Sequence, residues 1–302
     1  MSGSPESEDE LVRALRERLA TDDGRVTTSI GDDAAVLADG TVISVDASVE
    51  GAHFRREWLS LPQVGFRGTV AALSDLAAMG ASPVAVLSSV VAPETSEVQA
   101  LMDGVGEAAH LYGAPVIGGN VARANHLALH TTVIGRTRAP WTRAGARVGD
   151  AVYVTGTVGA AALGWRALEA GRDLAPFIAR WRRPRARFDL APFLAPTACI
   201  DVSDGVALDL ARLCHASGVA ARIELARLPV EAGFAEACAT MGLDPDALAI
   251  GGGEDYELLF TMPASLDPSV ATRVGEIVEG EAVHVLGRDG VVERGRGGHQ
   301  HF

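Results

Sequence analysis

The chain repeatedly places aspartate or glutamate where an apolar strand runs out into glycine or into a helix, and this pattern constrains the fold more than any other. Its centre is Ile200-Asp201-Val202-Ser203-Asp204-Gly205. Ala198, Cys199, Ile200 and Val202 read as buried strand. Val206, Leu210, Leu213, Cys214 and Ser217 then recur at helical spacing, and Gly218 ends the pattern. Asp201 and Asp204 therefore stand at a strand end and a helix entrance, with a hydroxyl between them. Carboxylates this close repel unless a cation or water separates them. Taken alone, Ser203 or Asp204 would serve as an ordinary helix cap. Four other acidic stretches point elsewhere.

In chain order, Ser7 with Glu10 forms a capping box for a first helix carrying Leu11, Val12, Leu15 and Leu19. Asp32-Asp33 precede a strand, and Ala38-Asp39-Gly40 turns it back into the strand Thr41 to Asp46. Pro62 opens a helix to Gly80 whose small-residue face (Gly68, Ala71, Ala72, Ala78) carries one carboxylate, Asp75. A strand from Val84 to Val91 and a helix through Val98 and Tyr112 follow. Pro115-Val116-Ile117 then runs into a Gly118-Gly119-Asn120 turn, where missing side chains let backbone amides approach an anion. Leu127, Leu129, Thr131 and Val133 alternate as another strand.

The aperiodic, Arg-, Pro- and Gly-rich stretch from Arg136 to Asp150 marks a domain boundary, giving domains 1–138 and 139–302. Beyond it, Val152 to Thr155 is a strand, followed by a small-residue helix to Ala170. The basic run Arg180 to Arg187 reads as a solvated turn. Val219 to Leu225 is a strand and Glu231 to Met241 a helix. Gly251-Gly252-Gly253-Glu254-Asp255-Tyr256 forms a loop before the strand Glu257 to Thr261. A last helix is expected over Ser269 to Val278, and Val283 to Leu286 is the closing strand. Alternating strands and helices predict an α/β chain.

Every basic side chain other than histidine is arginine, for the sequence holds no lysine. This excludes a P-loop, which needs its lysine, and Schiff-base chemistry, which needs an amine. Polyphosphate handling would fall to arginine, backbone amides and metal ions. A net charge of -13 argues against nucleic acid and anionic membrane surfaces as partners. Nor does any apolar run reach membrane-spanning length. Cys199, Cys214 and Cys238 are unclustered and sit among apolar residues, as expected of buried thiols in a reducing cytoplasm. Clustered carboxylates with few basic partners fit hard cations, magnesium with a nucleotide above all.

Seven segments in series resemble thiamine-monophosphate kinases of the aminoimidazole-ribonucleotide synthetase superfamily. They are 31–36, 49–54, 73–81, Thr142 to Asp150, Tyr153 to Thr157, Ile200 to Gly205 and Gly252 to Leu258, and the likeness extends to His301-Phe302. The resemblance implies a two-domain α/β (α+β) fold, with homodimers formed through the N-terminal sheets. It also implies conversion of thiamine monophosphate to thiamine diphosphate by direct in-line transfer from ATP, with several magnesium ions. By position, Asp33, Ser44, Asp46, Asp75, Asn120, Asp201 and Asp204 would ligate metal. Gly119, Asn120, Arg143 and Ser203 would hold ATP, with Arg143 and Asp204 catalytic, and His53, Glu254 and His299 would face the thiamine phosphate. Asn120 stands where the family usually carries aspartate, and Val45 replaces a usual threonine. These departures motivate the alternative of a non-catalytic or retuned nucleotide-binding paralogue. The intact acidic positions favour the enzyme.

Overall fold

The computed structural model describes residues 8–19, 23–266, 268–288, 290 and 292–294. The capping-box residue Ser7 and the substrate-contact candidate His299 lie outside them. The first half comprises α1 (Glu8–Leu19), β1 (Val26–Thr28), β2 (Ala35–Leu37), β3 (Thr41–Val49), α2 (Leu61–Ala78), β4 (Ser82–Ala92), α3 (Thr95–Leu111), β5 (Val116–Arg123) and β6 (Ala128–Arg136). The second comprises β7 (Asp150–Thr155), α4 (Ala160–Glu169), α5 (Ala175–Arg182), β8 (Ala198–Asp201), α6 (Val206–Ser217), β9 (Ala220–Glu224), α7 (Phe234–Thr240) and α8 (Pro245–Gly251). It closes with β10 (Leu258–Pro263), β11 (Ala271–Val278), β12 (Val283–Leu286) and β13 (Val292–Arg294). Each half builds its own sheet: six strands in the order β1-β2-β3-β6-β4-β5, and seven in the order β13-β12-β9-β11-β7-β10-β8.

α2 is the helix on which the halves meet. Ser60 caps it, accepting from the Gln63 amide while the Gln63 side chain accepts from the Ser60 amide, and Pro62 sits in the first turn, where its missing N–H costs nothing. Fourteen of its eighteen residues are buried, which a helix achieves only when it is covered on several sides. One side packs on α3 at backbone contact. A Cβ on Gly65 would strike the Leu101 carbonyl, and one on Gly104 the Pro62 carbonyl. Another side covers the first sheet, with Val70, Leu73 and Leu76 in its core. The C-terminal turn reaches the second sheet, where Ala77 and Ala78 pack with Tyr153, Cys199, Leu258 and Phe260. Asp75, on the same turn, is thereby delivered to the junction.

Four local expectations give way to tertiary structure. Ala271–Val278 form strand β11, not a helix. Its β-branched Thr272, Val274 and Ile277 suit a pleated surface, and pairing with both β7 and β9 outweighs helical propensity. Gly118-Gly119-Asn120 is no turn but the middle of β5, paired in parallel with β4. Nor is the run Arg180 to Arg187 a solvated turn. Trp181 is buried, and Arg180 and Arg187 both pair with the buried carboxylate of Glu257. Neither Ser203 nor Asp204 caps α6. The N-cap is Gly205, and Asp209 Oδ2 accepts from the Asp204 and Gly205 amides, each at 3.0 Å.

Candidate active site

Asp33 sits in the turn before β2, Asp75 on α2 and Asp201 at the end of β8. Their carboxylate oxygens lie within 4.8 Å of one another. Two charges at that distance repel by roughly 3 kcal/mol at an effective dielectric of about 20. A helix cap contributes only about 1 kcal/mol, so capping cannot account for the grouping. The hydroxyls of Ser44 and Ser74 each brace one acid, donating to Asp75 Oδ2 at 2.5 Å and to Asp201 Oδ2 at 2.7 Å. Burial, with the neighbouring carboxylates Asp201, Asp33 and Asp46, raises the Asp75 pKa well above the ordinary value. Burial and Asp33 likewise push Asp201 up. Both shifts favour the protonated acids at Asp75 and Asp201, and a divalent cation bound there would displace those protons.

Arg143, from the segment between the halves, ion-pairs with Asp33 at 2.7 Å. Its backbone amide donates to Asp32, whose role is to tether that segment. Asp33 Oδ2 and Arg143 Nε are buried without a protein hydrogen-bond partner. Buried polar atoms are normally satisfied, so this pair of orphans marks a place built for something polar. At the mouth of α6, Asp204 pairs with Arg212, which also donates to Asp209 at 3.2 Å and to Asp9 of α1 at 3.0 Å.

A cavity of about 390 Å³ opens from the cluster between the halves. Asp46, Asp75, Asp201, Ser203 and Asp204 line it together with Phe54, Trp58, Trp165 and Trp181, and His53 and Glu254 are also in its wall. A lining of both carboxylates and aromatic rings suits a small molecule with a charged head and a flat body. His53 Nδ1 accepts from the Val49 amide at 3.1 Å, so in the neutral ring Nε2 carries the proton. Gly119 and Asn120 are not brought here by their own chain. β5 is the far edge strand, three strand spacings of about 4.8 Å from β3, and all its residues are exposed.

Residues 31–137 match the family described as AIR synthase related protein, N-terminal domain. The thiamine-monophosphate kinase of Methanopyrus kandleri is 33% identical over 289 residues, covering 93% of each chain. That of Rhodopirellula baltica is 35% identical over 277 residues, covering 84% of each. The chain belongs to the thiamine-monophosphate kinase family. Its fold is that of a solved structure of AaThiL complexed with AMPPCP and TMP, with a TM-score of 0.90 at 31% identity over 100% of this chain and 99% of that one.

Within this thiamine-monophosphate kinase fold, the acids singled out in the sequence divide clearly. Asp33, Asp75 and Asp201 converge, and Asp46 and Asp204 line the adjoining cavity. Four further side chains at the site were missed in the sequence: Arg67, Trp181, Asp209 and Arg212. Asp209 did leave a trace, an acid on the apolar stripe of α6 between Val206 and Leu213. So did Arg67, which shares with Asp75 the distinction of being charged in an otherwise uncharged helix. Trp181 left none.

Proposed function

We propose that the chain transfers the terminal phosphoryl group of ATP to the phosphate of thiamine monophosphate, giving thiamine diphosphate and ADP. An acceptor phosphate oxygen forms the new P–O bond in line as the bond to ADP breaks, so no protein nucleophile is consumed. The observation that carries this reading is one cavity whose lining joins Asp75 and Asp201 of the carboxylate cluster to a set of aromatic rings. AaThiL, whose complex holds AMPPCP and TMP, supports the choice of ligands.

The cluster fits magnesium: its donors are hard oxygens, they converge, and Asp33 Oδ2 has no protein partner. Asp33, Ser44, Asp46, Asp75, Asp201 and Asp204 are the residues that would hold such ions. When bound, magnesium neutralises phosphate charge and orients the transferred group. Arg143 contributes a fixed guanidinium beside Asp33 and is the cation assigned to the nucleotide phosphates. Ser203, also in the cavity wall, is assigned to the nucleotide phosphates. His53, through its Nε2–H, and Glu254, both in the cavity wall, are assigned to the phosphate acceptor. Gly119 and Asn120 receive no part in the cavity of their own chain.

We assign two domains, 1–138 and 139–302, on the strength of the two separate sheets. A homodimer through the first sheet is supported by exposed apolar residues on three of its strands: Val45, Val84, Ile117 and Val121. Three buried free cysteines suit a cytoplasmic setting.

Purified protein is expected to form thiamine diphosphate from thiamine monophosphate only with ATP and magnesium. Asp75→Ala and Asp204→Ala should abolish that turnover while keeping the circular-dichroism spectrum. Wild-type turnover in either variant at saturating magnesium would remove the metal assignment.

A further inference from the structure

The Glu254 carboxylate is braced from both halves of the molecule. Its backbone is in the left-handed region, φ 69°, and Tyr256 two residues on is at φ 54°. Such conformations cost side-chain-bearing residues on the order of 1 kcal/mol or more and persist only where the surroundings over-determine them. Here the Glu254 and Tyr256 amides donate to the Ser203 and Val202 carbonyls at 2.8 and 2.9 Å, and Arg67 of α2 and Trp181 of α5 hold the carboxylate. Arg67 Nη2 ion-pairs with Glu254 Oε1, and Trp181 Nε1 donates to Oε2 at 2.7 Å. The two braces also hold each other: Arg67 Nη1 donates to the Trp181 carbonyl at 2.8 Å, and its guanidinium lies 4.6 Å from the Trp181 ring centroid. Trp58 meets the Trp181 ring edge-on, with centroids 6.2 Å apart. Arg67 is 6% exposed and Trp181 1%, whereas the Glu254 side chain keeps 26% of its surface open.

A buried ion pair is poor value as a stabiliser, since apolar residues of the same volume do as well or better. A rigid bracket is worth having where it aims a carboxylate. We propose that Arg67 and Trp181 are positioning residues that fix Glu254 for the phosphate acceptor and so set the enzyme's affinity for it. This rests on the reading that the cavity takes thiamine monophosphate. Neither residue belongs to the acid cluster, so neither should govern ATP.

The test is steady-state kinetics of the full-length protein with separate titrations of thiamine monophosphate and ATP. Trp181→Phe keeps a ring but loses the Nε1 donor. Arg67→Lys keeps the charge but cannot fork to both the Trp181 carbonyl and Glu254. Each loses one charge-assisted hydrogen bond and should raise KM for thiamine monophosphate about 10- to 100-fold. KM for ATP and kcat at saturating acceptor should stay within about threefold, the scatter expected of context. In a Glu254→Ala background neither substitution should add a further effect, because both act through that carboxylate. Effects that multiply on top of Glu254→Ala, or that lower kcat and raise both KM values together, would overturn the inference and leave Trp181 as packing. An unchanged KM in both variants would do the same. A wild-type protein with no turnover of thiamine monophosphate would instead overturn the functional reading and this role with it.

Discussion

Arg143 tests the site at the scale of one residue. Its guanidinium pairs with Asp33 while Nε has no partner, so one edge of the fork is spoken for and another is not. Without lysine, no flexible amine can replace it near a phosphate. Arg143→Ala should therefore reduce kcat about 100- to 1000-fold, the loss typical of deleting a donor aimed at developing charge. Turnover close to wild type would make Arg143 a tie between the halves and nothing more. The acids around it were legible in the sequence because strand ends and glycines place them at the rim of a sheet whatever the tertiary detail. Their braces were not. Arg67 and Glu254 are 187 positions apart, and Ser74 and Asp201 are 127 apart, so no local pattern links them.

At the scale of elements, the loop between α8 and β10 is held by Asp255, which accepts from the Gly159 and Ala161 amides at 2.6 and 3.0 Å and so secures the start of α4. Burial outweighs these donors and raises the Asp255 pKa to about 7. A carboxyl with a folded pKa above its unfolded one binds more protons when folded. Its contribution to stability is thus greatest below the ordinary value of 3.8, falls as pH rises toward about 7, and is level above that. Thermal midpoints of the wild type and Asp255→Asn at pH 5 and pH 8 should show the wild type losing more stability over that interval than the variant. An equal loss would place Asp255 ionised throughout. Most elements themselves were readable from periodicity, including α2, α3, α6 and the strands around them. β11 was misread because its charged residues mimic an exposed helical face, whereas its neighbours β7 and β9 come from far earlier in the chain. β5 was read as ending at its glycines, yet parallel pairing with β4 carries the strand through them.

At the scale of the molecule, the site exists because α2 is covered by both sheets and because strand ends of the second meet the acids of the first. The exposed apolar residues Val45, Val84, Ile117 and Val121 of the first sheet support the proposed dimer. Val121→Asp should shift light-scattering mass from twice the chain's 31.3 kDa to the monomer value. A wild type that is monomeric at micromolar concentration would exclude that assembly. In the proposed reaction, one cavity brings a nucleotide's terminal phosphate to a second phosphate beside the Asp33–Asp75–Asp201 cluster. This reaction is tested most directly by supplying ATP labelled in its γ-phosphate together with thiamine monophosphate and magnesium. The label should appear in thiamine diphosphate, one for each ADP formed, with none retained on the protein. Label released as inorganic phosphate, or bound covalently to the chain, would contradict it.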